Sequence, residues 1–81
     1  MSMQLKERLR EIIAEVAEID DVPEEAPFRE LGIDSMMAIE IVAEVEREYK
    51  LSIPEDELQD LTNLNRVYEK VLSKMRADAA E

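Results

Sequence analysis

Three stretches of the chain carry apolar residues at helical spacing, and each predicts an amphipathic helix. They cover residues 3–18, residues 35–49 and a segment that begins near residue 64. Residues at i, i+3, i+4 and i+7 share one face of a helix, so each stretch turns one apolar face to a common core. The core faces are Leu5, Leu9, Ile12, Ile13 and Val16 in the first stretch, Ala38, Ile41, Val42, Val45 and Tyr49 in the second, and Leu64, Val67, Tyr68, Val71, Leu72 and Met75 in the last.

Polar residues mark where the two later helices begin. Asp34 precedes the second helix and is predicted to be its N-cap, and Thr62 or Asn63 is predicted to cap the last one. Residues 77–81 are expected to form a frayed tail, because chain ends are poorly ordered unless something ties them down.

A further short helix is predicted from about Pro54. Ser52 followed three residues later by Glu55 fits a capping box, and proline suits the first turn of a helix. Leu58 and Leu61 of this helix are expected to face inward.

The segment 20–34 breaks the helical pattern and predicts a long loop between the first two helices. A connection of this length in a small domain is either functional or disordered. Phe28, Leu31 and Ile33 are suitable anchors to the core. They favour an ordered loop.

Composition agrees with a helical protein. The chain has 81 residues, of which 46% are hydrophobic, with three aromatics and one glycine. That length suits one domain with a modest core, and the scarcity of glycine disfavours a sheet with tight hairpins. The prediction is a single all-α domain over 1–81, a small bundle of three longer helices plus one short helix.

Charge narrows the possible partners. The net charge is −11, which argues against nucleic acid and anionic membranes as partners and favours basic protein surfaces. The chain has no cysteine or histidine, so thiolate metal sites and the usual general base are missing. No secretory apolar segment and no membrane-spanning run occurs, so we expect a cytoplasmic protein that does not insert into membranes. We also expect a monomer that binds no metal.

The most informative run is Leu31-Gly32-Ile33-Asp34-Ser35-Met36. It places Ser35 at the N-terminus of a helix, where free backbone N–H groups and the helix dipole favour a phosphate. The dipeptide alone is more typical of an ordinary helix cap than of a functional serine. The long loop before it and the acidic helix after it, with a second apolar strip formed by Met36, Ile39 and Ala43, favour a functional serine.

These features together resemble an acyl carrier protein. The similar pieces are 28–36, 38–49 and Ile53-Pro54-Glu55-Asp56, and the resemblance covers nearly the whole chain. It implies that Ser35 receives 4'-phosphopantetheine from coenzyme A through a phosphopantetheinyl transferase, with Asp34 as its motif partner. The thiol of that arm would then hold an acyl chain as a thioester, for fatty acid, modified-lipid or polyketide biosynthesis. The protein itself would not be an enzyme.

The resemblance also implies roles for two further groups of residues. One group would meet the basic docking patches of acyl synthases and transferases: Met36, Ile39, Glu40, Glu44, Glu46 and Glu48. The other would line a cavity for the acyl chain: Ile41, Val42, Val45, Leu58 and Val67.

Three residues depart from the pattern of fatty-acid carriers. Met37 stands where an acidic residue is usual, and Arg47 and Lys50 lie in a stretch that is typically acidic. Basic residues on a docking helix can repel a partner's arginine and so select among partners. We therefore favour a specialised carrier, for polyketide-like or modified-lipid synthesis, over a housekeeping one.

Three alternatives come from other readings of the same residues. Ser35 as an enzymatic nucleophile lacks a histidine to accept its proton. An acidic binding module, either for calcium or as a nucleic-acid mimic, lacks the ligand spacing of an EF-hand loop. A peptidyl or D-alanyl carrier would use the same serine and arm, and the strongly acidic second helix favours acyl cargo instead.

Overall fold

The protein is an all-helical bundle, described here from a computed structural model. The structure describes residues 2–80, and the side chains of 4–76. It contains helix α1 (Ser2–Ala17), helix α2 (Ser35–Tyr49) and helix α3 (Leu64–Ala80), with 3-10 helices at Phe28–Leu31 and Glu55–Asp60. No strand occurs within residues 2–80. The predicted fold of three longer helices, a short one and a long first loop is confirmed.

Helix boundaries agree closely with the sequence pattern. Helix α2 has the predicted bounds, and α1 starts and ends one residue earlier than predicted. Asn63 rather than Thr62 caps α3, because its Oδ1 accepts a hydrogen bond from the N–H of Arg66 at 2.8 Å. The predicted frayed tail is not tested: α3 extends to Ala80, and the side chains of 77–80 and the whole of Glu81 lie outside the described residues.

Helices α1 and α2 both end in a left-handed residue that is not glycine. Glu18 has φ 58° and Lys50 has φ 56°. In each case the next residue, Ile19 or Leu51, donates its N–H to a carbonyl five positions back, and its side chain packs on the core. This bond and apolar contact are those of a Schellman ending, which offsets the cost of the left-handed backbone.

One aliphatic core joins the three helices. Its buried residues are Leu5, Leu9, Ile12 and Ile13 of α1, Ile41, Val42 and Val45 of α2, Leu64, Val67 and Val71 of α3, and Val22, Phe28, Ile33, Ile53 and Leu61 of the connecting segments. Full burial of such a side chain stabilises the fold by roughly 1.5–3 kcal/mol before chain entropy is subtracted. The inward placement predicted for Met75 is wrong: its side chain is 39% exposed, because the buried face of α3 ends at Val71.

The long loop is fixed to the start of α3. Phe28 donates its N–H to the Thr62 carbonyl at 2.8 Å, and Asn65 donates to the Glu24 carbonyl at 3.1 Å. Phe28 and Ile33 are buried as predicted and Leu31 is half-buried. Val22, 1% exposed, is a further anchor. The loop therefore holds the start of α2 beside the start of α3.

The short helix differs from its prediction in type and in capping. Residues Glu55–Asp60 form a 3-10 helix whose N-cap is Pro54, and no side chain caps it, so the proposed capping box of Ser52 and Glu55 is wrong. Leu61 is buried and Leu58 is half-buried, as their inward direction requires. No helix within residues 2–80 is both long enough and apolar enough to cross a membrane.

Candidate functional site at the start of helix α2

Ser35 is the first residue of α2, and it is exposed. The preceding Asp34 has an extended backbone (φ −92°, ψ −175°), and its Oδ1 accepts a hydrogen bond from the N–H of Met37 at 2.9 Å. The Asp34 carbonyl accepts the N–H of Ala38, also at 2.9 Å. Asp34 is thus the predicted N-cap, and its carboxylate is turned to the helix backbone.

A tight turn delivers the chain to this helix end. Gly32 has φ 80°, a left-handed conformation that a side chain would strain, and its N–H points back to the carbonyls of Arg29 and Phe28. Ile33 donates its N–H to the Phe28 carbonyl at 3.0 Å and buries its side chain. Ile33 is buried in the core, whereas Ser35, two positions later, lies at the surface.

A cleft of about 460 Å³ opens beside Ser35. Its size lies within the range of ordinary small-molecule sites. Its walls come from the end of the first loop, the start of α2 and the segment before α3: Pro27, Phe28, Arg29, Ile33, Asp34, Ser35, Ala38, Leu61 and Thr62. Arg29 and Thr62 were not predicted as site residues. They lie 33 positions apart in sequence, and no local pattern links them.

The chemistry available at Ser35 is that of an unassisted hydroxyl. The whole chain has no histidine, and the only carboxylate in the cleft lining, Asp34, is already hydrogen-bonded to Met37. Within the described residues, no group of three or more acidic residues is placed to hold a metal ion. A serine hydroxyl is a weak nucleophile unless an adjacent group accepts its proton, and the described cleft lining offers no free base.

The outer face of α2 carries exposed apolar side chains next to the serine. Met36 is 74% exposed and Ile39 is 54% exposed, and Glu40 and Ala43 lie on the surface near them. Large apolar residues clustered at a helix surface are typical of a contact site for another protein. Ile39 and Ala43 also border a groove of about 250 Å³ that reaches Val42 and Leu58.

The four glutamates predicted for docking are not equally free. Glu40 is exposed, and Glu44 pairs with Arg47 at 2.8 Å. Glu46 accepts the N–H of Ile53 through Oε2 at 2.6 Å, which ties α2 to the segment that follows it.

Glu48 is bound in a fork by Arg8 of α1. Its two carboxylate oxygens lie 2.7 Å and 3.0 Å from Nε and Nη2 of Arg8. These hydrogen bonds hold the pKa of Glu48 below its usual range and raise the pKa of Arg8. Because Glu48 joins two helices, it has a structural role that its sequence position did not reveal.

The five predicted cavity residues fall into two environments. Ile41, Val42, Val45 and Val67 are buried in the helical core. Leu58 is half-buried and borders the outer groove together with Val42.

The 3-10 helix that carries Leu58 is held to α3 by Glu57, whose Oε1 lies 3.2 Å from the Nζ atoms of both Lys70 and Lys74.

Comparison with known proteins gives a consistent result. Over residues 7–71 the chain matches the family described as "Phosphopantetheine attachment site". It is 42% identical over 73 residues to polyketide-8 synthase acyl carrier protein 2 of Streptomyces avermitilis, covering 86% of this chain and 84% of that protein.

Two solved structures share the fold over most of its length. The acyl carrier protein of Thermotoga maritima gives a TM-score of 0.81 at 28% identity, covering 94% of this chain and 92% of that chain. A chain in the structure of the ishigamide ketosynthase/chain length factor gives a TM-score of 0.78 at 32% identity, covering 88% and 93%. The resemblance inferred from the sequence is confirmed, and with it phosphopantetheine as the cofactor. This chain belongs to the acyl carrier protein family, whose members are phosphopantetheine-bearing carriers and not enzymes.

Proposed function

We propose that Ser35 is the residue that carries phosphopantetheine and that residues 1–81 act as one carrier unit. The observation that carries the proposal is the exposed Ser35 hydroxyl at the N-terminus of α2, beside a cleft large enough for a small-molecule arm. Unpaired N–H groups and the helix dipole at that end favour the negative charge of a phosphodiester. The arm, when attached, supplies the thiol on which acyl groups are held as thioesters.

Loading depends on an enzyme that this chain does not contain. Because nothing in the cleft can take the Ser35 proton, a phosphopantetheinyl transferase must provide the base. It must also bind coenzyme A, which donates the arm. The role of this chain is to present the hydroxyl on a fixed helix end, with Asp34 holding the first turn in place.

Docking is proposed to involve the exposed start of α2. Met36 and Ile39 offer apolar contact, and Glu40 offers a free carboxylate for a basic patch on a synthase or transferase. Glu44 borders the same surface as Glu40, and its carboxylate is paired with Arg47. Glu46 and Glu48, proposed for docking from the sequence, have internal partners at the far end of the helix, so their share in docking is the smaller one.

The pathway that fits best is polyketide synthesis. Support comes from the relative at 42% identity, which is a polyketide synthase carrier, and from the likeness to a chain in a ketosynthase structure. The departures at Met37, Arg47 and Lys50 from the fatty-acid pattern point the same way. These relatives do not favour the peptidyl or D-alanyl carrier alternative.

Three finer expectations remain predictions. The acyl chain is expected among Ile41, Val42, Val45, Leu58 and Val67, where the half-buried Leu58 and its 3-10 helix form the boundary between groove and core. A monomeric state and a cytoplasmic location are likewise expected.

Loading followed by mass measurement tests the proposal. The purified protein is incubated with coenzyme A and a promiscuous phosphopantetheinyl transferase, and its intact mass is measured beside that of Ser35→Ala. We expect one arm on the native protein and none on the variant. A native protein that gains no arm would refute the carrier assignment. An arm on the alanine variant would show that the attachment site is a residue other than Ser35.

A further inference from the structure

The cleft beside Ser35 contains one positive charge. Of its nine lining residues only Arg29 and Asp34 are charged. Arg29 is exposed, and within the described part of the chain it forms no ion pair. Six of the other basic residues do form ion pairs there: Lys6, Arg8, Arg10, Arg47, Lys70 and Lys74. A cation left free in a protein of net charge −11 is available for an anionic ligand.

The backbone of Arg29 is fixed relative to Ser35. Arg29 lies in the 3-10 helix Phe28–Leu31, whose first N–H is bonded to Thr62. The Arg29 carbonyl accepts the N–H of Gly32 at 3.3 Å, in the turn that leads directly to α2. The backbone of Arg29 thus lies in a hydrogen-bonded turn at the edge of the cleft.

The electrostatics at Ser35 create a need for such a cation. A phosphodiester on Ser35 would stand next to the carboxylate of Asp34, the adjacent residue. Like charges at short range repel, and the helix N-terminus offsets only part of that repulsion. A guanidinium offers paired N–H donors whose geometry matches phosphate oxygens.

We propose that Arg29 binds the phosphate of the phosphopantetheine arm, so that the first part of the arm is seated in the cleft over Phe28, Ile33 and Leu61. This proposal rests on Ser35 being the attachment site. Arg29 is a positioning residue: it favours the arm conformation in which the phosphate lies in the cleft, and it takes no part in loading or in acyl chemistry.

The test uses phosphorus NMR of the loaded protein. Native protein, Arg29→Gln, Arg29→Lys and the control Arg66→Gln are loaded as above, and intact mass verifies one arm on each. Arg66 is an exposed cation of α3 outside this cleft. Its replacement by glutamine therefore changes the net charge by the same amount and leaves the cleft lining unchanged. Phosphorus chemical shift and relaxation are then recorded at low salt.

We expect Arg29→Gln to shift and narrow the phosphodiester resonance. Without the guanidinium, the phosphate should be held at the cleft about two- to fivefold less, which is the effect expected for the loss of one exposed ion pair. Arg66→Gln should match the native protein, and Arg29→Lys should fall between. In the native protein, added salt should move the resonance toward that of Arg29→Gln, a check that needs no variant.

A native resonance that is unchanged by salt and superposes on that of loaded Arg29→Gln would overturn the role of Arg29. This outcome is distinct from a failure of the attachment site, in which no protein would gain the arm and no phosphodiester resonance would appear.

Discussion

Replacing Asp34 with alanine removes the side-chain oxygen that caps α2 and should lower stability by a predictable amount. Oδ1 of Asp34 lies 2.9 Å from the N–H of Met37, one of the four N–H groups that have no partner within the helix. Loss of such a cap costs about 0.5–2 kcal/mol, typically about 1 kcal/mol. In a domain of this size, 1 kcal/mol corresponds to a fall in melting temperature of about 4–8 °C.

Two comparisons separate capping from charge. Asp34→Asn removes the same negative charge as Asp34→Ala but keeps an oxygen able to cap, so it should melt closer to the native protein than the alanine variant does. Asn63→Ala should cost a similar amount, because Asn63 caps α3 with the same geometry at 2.8 Å.

The assay is thermal unfolding followed by circular dichroism at one pH and ionic strength. Equal melting temperatures for Asp34→Ala and Asp34→Asn would show that only the charge matters. An alanine variant within about 1 °C of the native protein would refute the capping argument itself, since it falls well below the shift expected for a lost cap.

Three further predictions concern stability. Val22→Ala should cost about 2 kcal/mol in urea unfolding, because Val22 is 1% exposed and loses two buried carbons; a cost near zero would mean that the loop is not anchored there. Lys70 and then Lys74 hold the pKa of Glu57 below its ordinary value of 4.5 by hydrogen bonding, so the stability they provide is present above pH 4.5 and is lost as pH falls through the lowered pKa. Melting curves of Glu57→Gln should therefore lose less stability on acidification than those of the native protein, and equal losses would contradict this. Raising ionic strength from about 0.01 to 0.15 M should raise the melting temperature, because screening weakens self-repulsion at net charge −11; a fall would show that the ion pairs matter more.

The features that the sequence predicted well depend on local spacing. The bounds of α2, its cap Asp34 and the pair Thr62 or Asn63 as candidate caps of α3 follow from an apolar stripe and a short polar residue just before it. Helix type and boundaries are decided there by neighbours within four residues. The same applies to the exposure of Met36 and Ile39, which lie off the core stripe.

The features that it missed depend on contacts between distant segments. Glu48 was predicted only for docking, and its hydrogen bond with Arg8, 40 positions away, has no signal in the local pattern. Val22 stands alone among polar residues, so no periodicity marks it as buried. Arg29 gains significance only because the loop folds back on Thr62 and forms one wall of the cleft.

The central claim, that the arm is attached to Ser35, is tested most directly by peptide mapping of the loaded protein. Trypsin cleavage after Arg29 and Arg47 releases the peptide 30–47, in which Ser35 is the only residue with a hydroxyl group. Ser52→Ala serves as a matched control, because Ser52 is also exposed but lies outside a helix N-terminus. We predict that the whole added mass appears on peptide 30–47, in the native protein and in Ser52→Ala alike. Added mass on any other peptide would contradict the account.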